Sequence, residues 1–201
     1  KVKNLSTGTM LGESIPNTYY GLEWANDNEH LFYITLDAAK RPEKLMRHRL
    51  GEPHRQDVLI HDETDDKFSV RVSKTRSRKY VLLRLESMIT SEVRFLDADH
   101  PSCAFRMIEP RENAVEYSAE HHGDHFYIVT NQDAVNFKLV RAPVARPEKG
   151  NWEEVIPHRP NVKLDGVEAF ADHLAISERD QGLRILRIRD LRTNEDRQVQ
   201  F

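Results

Sequence analysis

The sequence repeats itself with a period of about 48 residues. Ile60, Ile108 and Ile156 each follow an apolar residue and stand 48 residues apart. A second series of apolar runs begins at Leu31, Tyr80, Phe126 and Leu174, at spacings of 49, 46 and 48 residues. A third begins at Leu45, Val93, Leu139 and Leu186, and a less regular fourth at Gly21, Ser69, Val115 and Val167. Series that agree this well indicate an internal structural repeat.

Each period contains four short runs that are typical of strands. Many alternate apolar and polar residues, as half-buried strands do. Polar turn sequences separate them, for example at 25–28, 122–124 and 180–182. No window of about 12 residues keeps the apolar spacing of a helix. The pattern predicts an all-β fold, a β-propeller with four-stranded blades, because a β-sandwich gives no reason for this period.

The repeat also predicts where the blades begin and end. Residues 2–8 match residues 188–194, which lie about four periods later. Residues 1–16 are therefore expected to form the outer hairpin of a preceding blade, followed by blades at 17–66, 67–114, 115–162 and 163–201. A closed ring needs whole blades, so we expect an arc of a larger ring. The first residue, Lys1, favours a segment of a longer protein.

Composition narrows the possible partners. The 201 residues include 30 basic and 33 acidic side chains, a net charge of −3. This balance argues against a generally basic nucleic-acid binder, and no apolar run is long enough to cross a membrane. A single cysteine, Cys103, excludes an internal disulfide and any multi-cysteine metal site. It fits a reducing compartment, and we expect a cytoplasmic location.

The chain shows no motif for a catalytic nucleophile or a phosphate cradle. The nearest to a nucleophile elbow is 12–16, Gly-Glu-Ser-Ile-Pro, in which Pro16 replaces the second glycine. The chain is predicted to contain no catalytic residue and no cofactor site.

Metal binding is the less favoured interpretation of two kinds of segment. The histidine-rich segment 121–125 falls on a tight turn, where neighbouring side chains diverge. The carboxylate-rich segments 61–66 and 97–100 lack the glycine at the bend of calcium loops. No metal site is expected.

A basic segment follows the first blade. Residues 67–85 contain seven Lys or Arg and no acidic residue. Their place in the repeat is an innermost strand and its turn, so Arg71, Lys74 and Arg76 are expected to line the central channel. Phosphate binding is the alternative, but aromatic stacking partners are sparse there, Tyr80 being the nearest.

Several segments, in order along the whole chain, resemble the β-propeller domain of oligopeptidase B enzymes (protease II), in the prolyl oligopeptidase family of serine peptidases. They are 19–27 (YYGLEWAND), 47–51 (RHRLG), 73–77 (SKTRS), 90–98 (TSEVRFLDA) and 136–139 (NFKL). The resemblance implies a seven-bladed ring, without a shared closing blade, joined to an α/β-hydrolase domain. That domain contains the Ser-Asp-His triad and cleaves short peptides after Lys or Arg. The propeller covers the active site and excludes folded proteins.

On this resemblance, the chain is about four and a half of seven blades and a non-catalytic gating part of the peptidase. Its partners would be the hydrolase domain and short basic peptides. The loops between second and third strands are expected at Asp37–Lys44, Glu86–Glu92, Asn131–Asn136 and Glu178–Arg184, on one face of the ring. Breakable ion pairs to the hydrolase are predicted for Arg41, Glu92, Asp133, Glu178 and Arg179. The alternative is a free-standing propeller that acts as a binding scaffold.

Overall fold

The computed structural model describes residues 1–200, which form four antiparallel sheets of four strands each. The first sheet contains β1 (Thr18–Trp24), β2 (His30–Leu36), β3 (Pro42–Arg49) and β4 (Val58–Asp62). The second contains β5 (Ser69–Lys74), β6 (Tyr80–Glu86), β7 (Ser91–Asp97) and β8 (Arg106–Glu109). The third contains β9 (Tyr117–His122), β10 (His125–Thr130), β11 (Lys138–Pro143) and β12 (Glu153–Ile156). The fourth contains β13 (Val162–Ala169), β14 (His173–Asp180), β15 (Leu183–Asp190) and β16 (Asp196–Gln198).

Strand order within every sheet follows chain order, so each sheet is one uninterrupted stretch of sequence. The all-β class and the four-stranded repeat predicted from the 48-residue period are confirmed. Short 3-10 turns at His54–Gln56 and Lys149–Asn151 precede the outermost strands of the first and third sheets. Within residues 1–200 no helix has the length and apolar character needed to span a membrane.

The antiparallel order creates two distinct faces. What we call the crossover face carries the loops between second and third strands (37–41, 87–90, 131–137, 181–182) and the sheet-to-sheet connections (63–68, 110–116, 157–161). The hairpin face carries the turns between first and second strands (25–29, 75–79, 123–124, 170–172) and the loops between third and fourth strands. Because four is an even number, the chain enters and leaves every sheet on the crossover face.

Three apolar cores lie between successive sheets. Phe32 and Leu83 are fully buried in the first, Phe126 and Ile128 in the second, and Leu174 in the third. Burying a side chain of this size contributes about 1.5–3 kcal/mol. Side-chain packing between sheets, rather than shared strands, therefore joins one sheet to the next.

The predicted blade boundaries stay a prediction, and the strand limits can only be set next to them. β13 begins at Val162, one residue before the predicted start at 163. Residues 1–16, the expected outer hairpin, contain an isolated antiparallel bridge between Lys3 and Met10. Phe201, the end of the predicted last blade, lies outside the described residues.

Candidate docking face and channel wall

On the crossover face, Arg41 fastens a loop to a connection. It stands at the end of loop 37–41, where its Nε donates to Asp37 Oδ2 at 3.1 Å. Its Nη1 donates to the carbonyl of Phe68 at 2.7 Å and its Nη2 to that of Glu63 at 3.2 Å. These carbonyls belong to the connection between the first and second sheets. Arg41 thus holds the first loop against the start of the second sheet.

Buried ion pairs continue this joint between the first two sheets. The Arg111 guanidinium donates from Nη2 to Glu63 Oε2 at 2.7 Å and from Nε to Glu92 Oε2 at 3.2 Å. It also lies 3.9 Å from the centroid of the Phe68 ring. Glu63 and Glu92 are each 4% exposed, and Arg94 pairs with Glu92 from the other side at 2.7 Å. The two carboxylates are buried because two arginines neutralise them.

The pKa of Glu63 reflects this environment. Burial opposes its ionisation, but hydrogen bonds from Arg111 and from the Asp65 amide, together with the charge of Arg111, outweigh burial. The net result is a pKa of Glu63 below its ordinary value. The carboxylate is therefore ionised inside the joint.

The fourth sheet repeats the arrangement around Glu178. This nearly fully buried carboxylate accepts from Arg159 and, at 2.9 Å, from Arg187 Nη2. Arg111 and Arg159 follow Ile108 and Ile156 at the same distance, so they stand 48 residues apart. The period thus places an arginine after the fourth strand of two successive sheets. This repeated position is the sequence signal for both arginines, which the sequence-based site prediction missed.

Three predicted interface residues were assigned to loops, and that assignment is wrong. Glu92 lies in β7, and Glu178 and Arg179 lie in β14. Their charged sequences look like loops, but Arg111 and Arg94 compensate the charge of Glu92, and Arg159 and Arg187 that of Glu178. Arg179 pairs with Asp165 across β13 and β14 at 2.6 Å and is half exposed. Asp133 does lie in a loop and is exposed, with a φ of 53°.

Exposed apolar side chains are spread over the crossover face. Met88 and Ile89 lie in loop 87–90 of the second sheet, and Met88 is 95% exposed. Val135, in the third sheet's loop, is 81% exposed. Leu183, at the start of β15, and Tyr20, near the start of β1, are also exposed. All four sheets thus present at least one exposed apolar side chain on this face.

The three predicted channel residues lie on or directly after β5, and the structure directs them to different partners. Arg71 is exposed and pairs with Glu86 at 3.0 Å. Lys74 donates to Asn26 Oδ1 in the first sheet at 3.1 Å, and burial lowers its pKa. Arg76, in the turn after β5, pairs with Glu168 of the fourth sheet at 3.0 Å. They therefore do not converge on one binding point.

The crossover end of the inner strands borders a polar cavity of about 330 Å³. Glu86, Glu116, Asp165 and Lys163 line it, from the second, third and fourth sheets. Mixed charges and hydroxyls make this cavity suited to polar groups rather than to an apolar ligand.

The histidine-rich turn directs its rings to separate neighbours. His121 Nδ1 lies 2.8 Å from Ser77 Oγ, and burial lowers the pKa of His121. His122 Nε2 lies 2.9 Å from the Ala171 carbonyl. Across residues 1–200 no group of three or more His, Cys, Asp or Glu side chains is arranged to hold a metal ion.

Comparison with known proteins gives a family match along the whole chain. Residues 1–201 match the family described as the N-terminal β-propeller domain of prolyl oligopeptidase. Dipeptidyl aminopeptidase BI of Pseudoxanthomonas mexicana is 36% identical over 190 residues, which cover 94% of this chain and 26% of the relative. Protease 2 of Moraxella lacunata is 35% identical over 184 residues, which cover 90% and 26%. The chain thus spans about a quarter of the length of these curated relatives.

Solved structures give the same result. Oligopeptidase B from Trypanosoma brucei, with covalently bound antipain, superposes with a TM-score of 0.87 at 32% identity, over 95% of this chain and 28% of that one. Oligopeptidase B from Leishmania major gives a TM-score of 0.91 at 27% identity, over 99% and 29%. The propeller expectation and the resemblance drawn from the sequence are both confirmed.

Proposed function

This chain belongs to the family of N-terminal β-propeller domains of prolyl oligopeptidases, and from this premise we propose that it is the gating part of an oligopeptidase B-like serine endopeptidase. In this proposal a hydrolase domain of the same parent chain cleaves short peptides after Lys or Arg. The propeller covers that active site and keeps folded proteins out. The names of the relatives, protease 2 and oligopeptidase B, support the peptidase assignment.

The observation that carries the proposal is the coincidence of two features on the crossover face. All four sheets expose apolar side chains there, among them Met88, Val135 and Leu183. The chain also enters and leaves every sheet on that face, so a domain joined to either end of such an arc is connected there. We therefore place the docking of the hydrolase domain on the crossover face rather than on the hairpin face.

Burial divides the predicted interface residues into two roles. Asp133 and Arg179 are accessible and can form ion pairs across the domain boundary. Such exposed pairs contribute about 0–1 kcal/mol each, which suits an interface that opens and closes. The other three residues support the surface without forming it, because their hydrogen bonds fix the loops and strands that carry it. They are Arg41, Glu92 and Glu178.

The rigidity of that surface suits a size filter. Buried arginine–carboxylate pairs at Glu63, Glu92 and Glu178 join strands and connections on this face. A face held in this way keeps its shape when the domains separate, so opening moves the propeller as a unit. Peptides small enough to pass are admitted, and folded proteins are not.

The test uses the complete protein that contains this chain. Met88→Asp combined with Val135→Asp places charge in the proposed interface, and Leu59→Asp combined with Met107→Asp is the control on exposed positions of outermost strands. Turnover of a fluorogenic Arg peptide and of a small folded protein is measured for both. We expect the interface variant alone to change the ratio of the two rates. An unchanged ratio would overturn the docking assignment, and peptide cleavage by residues 1–201 alone would overturn the non-catalytic role.

A further inference from the structure

One arginine reaches past its neighbouring sheet. Arg76 belongs to the hairpin-face turn of the second sheet, yet its Nη1 lies 3.0 Å from Glu168 Oε2 of the fourth sheet. Its guanidinium carbon also lies 3.9 Å from the centroid of the Phe170 ring. The third sheet lies between these two, and its Glu120 Oε1 accepts from the Arg76 backbone amide at 3.0 Å. A single residue thus connects three sheets on the hairpin face.

The carboxylates at this place follow a register. Glu23, Lys74, Glu120 and Glu168 pair with Phe32, Val81, Tyr127 and Ala175, the equivalent positions of the four second strands. Three of the four inner strands therefore supply a glutamate, and the second sheet supplies a lysine. Burial raises the pKa of Glu120, and the negative charge of Glu168 raises it further. Glu168 receives the Arg76 guanidinium, whereas Glu120 accepts from the backbone amides of Arg76 and His121 and so holds the turn that carries Arg76.

We propose that Glu168 and Phe170 form a binding site for the guanidinium side chain of an arginine-containing peptide, and that Arg76 occupies this site from within the chain. A planar guanidinium both stacks on an aromatic ring and donates to a carboxylate, which an ammonium does less well. The observed pose of Arg76 displays this combination. Arg76 is therefore an internal competitor that stands in for the side chain of a ligand.

The site is accessible enough for exchange. The side chains of Arg76 and Glu168 are 48% and 64% exposed, and Phe170 is also partly exposed. Contacts of this kind are weak individually, so a ligand present at high local concentration can displace Arg76. The role of this site in the parent peptidase rests on the proposed function. With the hydrolase on the crossover face, the hairpin face meets the solution, and basic peptides reach this site first.

The experiment uses the 201-residue chain and small probes. Binding of Nα-acetyl-arginine amide is measured by NMR titration, following the amides of Phe170 and Ala171, in the wild type, Arg76→Ala and Arg76→Ala/Glu168→Gln. Removal of the competitor is expected to tighten binding about fivefold, from one exposed ion pair and one cation–π contact. The added Glu168→Gln change is expected to reverse this gain. Arg71→Ala, which removes another exposed arginine of the same strand region, is expected to leave affinity at the wild-type value.

The controls decide whether binding depends on the charge of the probe and on the presence of Arg76. Nα-acetyl-citrulline amide has nearly the same shape without the charge and is expected not to bind. Equal affinity in wild type and Arg76→Ala, or equal binding of the citrulline probe, would overturn the proposal. Should Arg76→Ala lose its dispersed spectrum, Arg76→Gln replaces it, and the wild-type Arg76 Nε–H resonance is followed for displacement by the arginine probe. Failure here leaves the cleavage test of the proposed function unaffected, because no hydrolase domain takes part.

Discussion

Replacement of Arg111 by methionine tests whether buried ion pairs hold the first two sheets together. The change keeps an unbranched apolar stem against Phe68 but removes the charge between Glu63 and Glu92, which are each 4% exposed. Removing one partner of a buried pair costs about 3–5 kcal/mol. Glu92 keeps Arg94 at 2.7 Å, so we expect the lower end, about 3 kcal/mol. For a domain of this size that corresponds to a fall in Tm of about 6–12 °C.

The loss of Tm in Arg111→Met should depend on pH in a defined direction. In the wild type the pKa of Glu63 is lowered, so its contribution to stability is present above the unfolded value and is lost as pH falls through the folded value. Without Arg111, burial dominates and raises the pKa of Glu63. The carboxylate then destabilises the fold at neutral pH, and protonation on acidification relieves this. The difference in Tm between Arg111→Met and wild type should therefore be smaller at pH 5 than at pH 7.

Thermal unfolding followed by circular dichroism at both pH values measures these effects. Arg71→Met is the matched control, because Arg71 is 68% exposed in its pair with Glu86 and such pairs contribute at most about 1 kcal/mol. The double variant Arg111→Met/Glu63→Gln should recover part of the loss, since it removes the uncompensated charge. A Tm of Arg111→Met within about 2 °C of wild type at pH 7 would refute the reasoning.

Three further substitutions test the packing of the sheets by the same thermal unfolding. Tyr117→Phe removes the hydroxyl that accepts from the Val93 amide at 2.8 Å and the Glu109 amide at 3.2 Å, with an expected loss of about 2 kcal/mol; Tyr20→Phe, fully in solvent, should be neutral. Gly21→Ala places a Cβ 2.6 Å from Ile34 Cδ1 and should cost about 1–3 kcal/mol through overpacking; Gly12→Ala, which meets no atom within 4 Å, should not. Phe126→Ala empties a fully buried position and should cost about 3–5 kcal/mol. For Tyr117→Phe and Gly21→Ala, a destabilisation no larger than that of the control variant would contradict the expectation. For Phe126→Ala, a destabilisation below about 1 kcal/mol would do so.

The sequence predicts the strands well because their apolar residues must face the same cores in every repeat. Ile108 and Ile156 recur at 48 residues since each closes the outer edge of an equivalent sheet. Charged residues carry no such constraint on their own. Glu92 and Glu178 are buried because arginines neutralise them, among them Arg111 and Arg159 from distant connections, and a local interpretation of the sequence places both glutamates in loops.

The contact of Arg76 with the fourth sheet has no local sequence signal at all. It joins residues 92 positions apart, across an intervening sheet. Only the curvature of the arc brings these turns together, and curvature results from how three cores pack. The exposed Met88 and Val135 are the opposite case, since apolar residues within turns are visible in the sequence once the turns are located.

Sheets made of consecutive strands also determine how such a molecule folds. Each strand pairs with its neighbour in sequence, so every sheet closes short loops and can form with little loss of chain entropy. Coupling between sheets then adds mainly as nearest-neighbour terms, as in other repeat proteins, with the contact of Arg76 and Glu168 as an addition. Folding can start at any sheet and spread outward. A substitution in one core weakens the packing between its two sheets before it affects the others. Arg111, at the joint between the first two sheets, thus contributes to folding cooperativity as well as to stability.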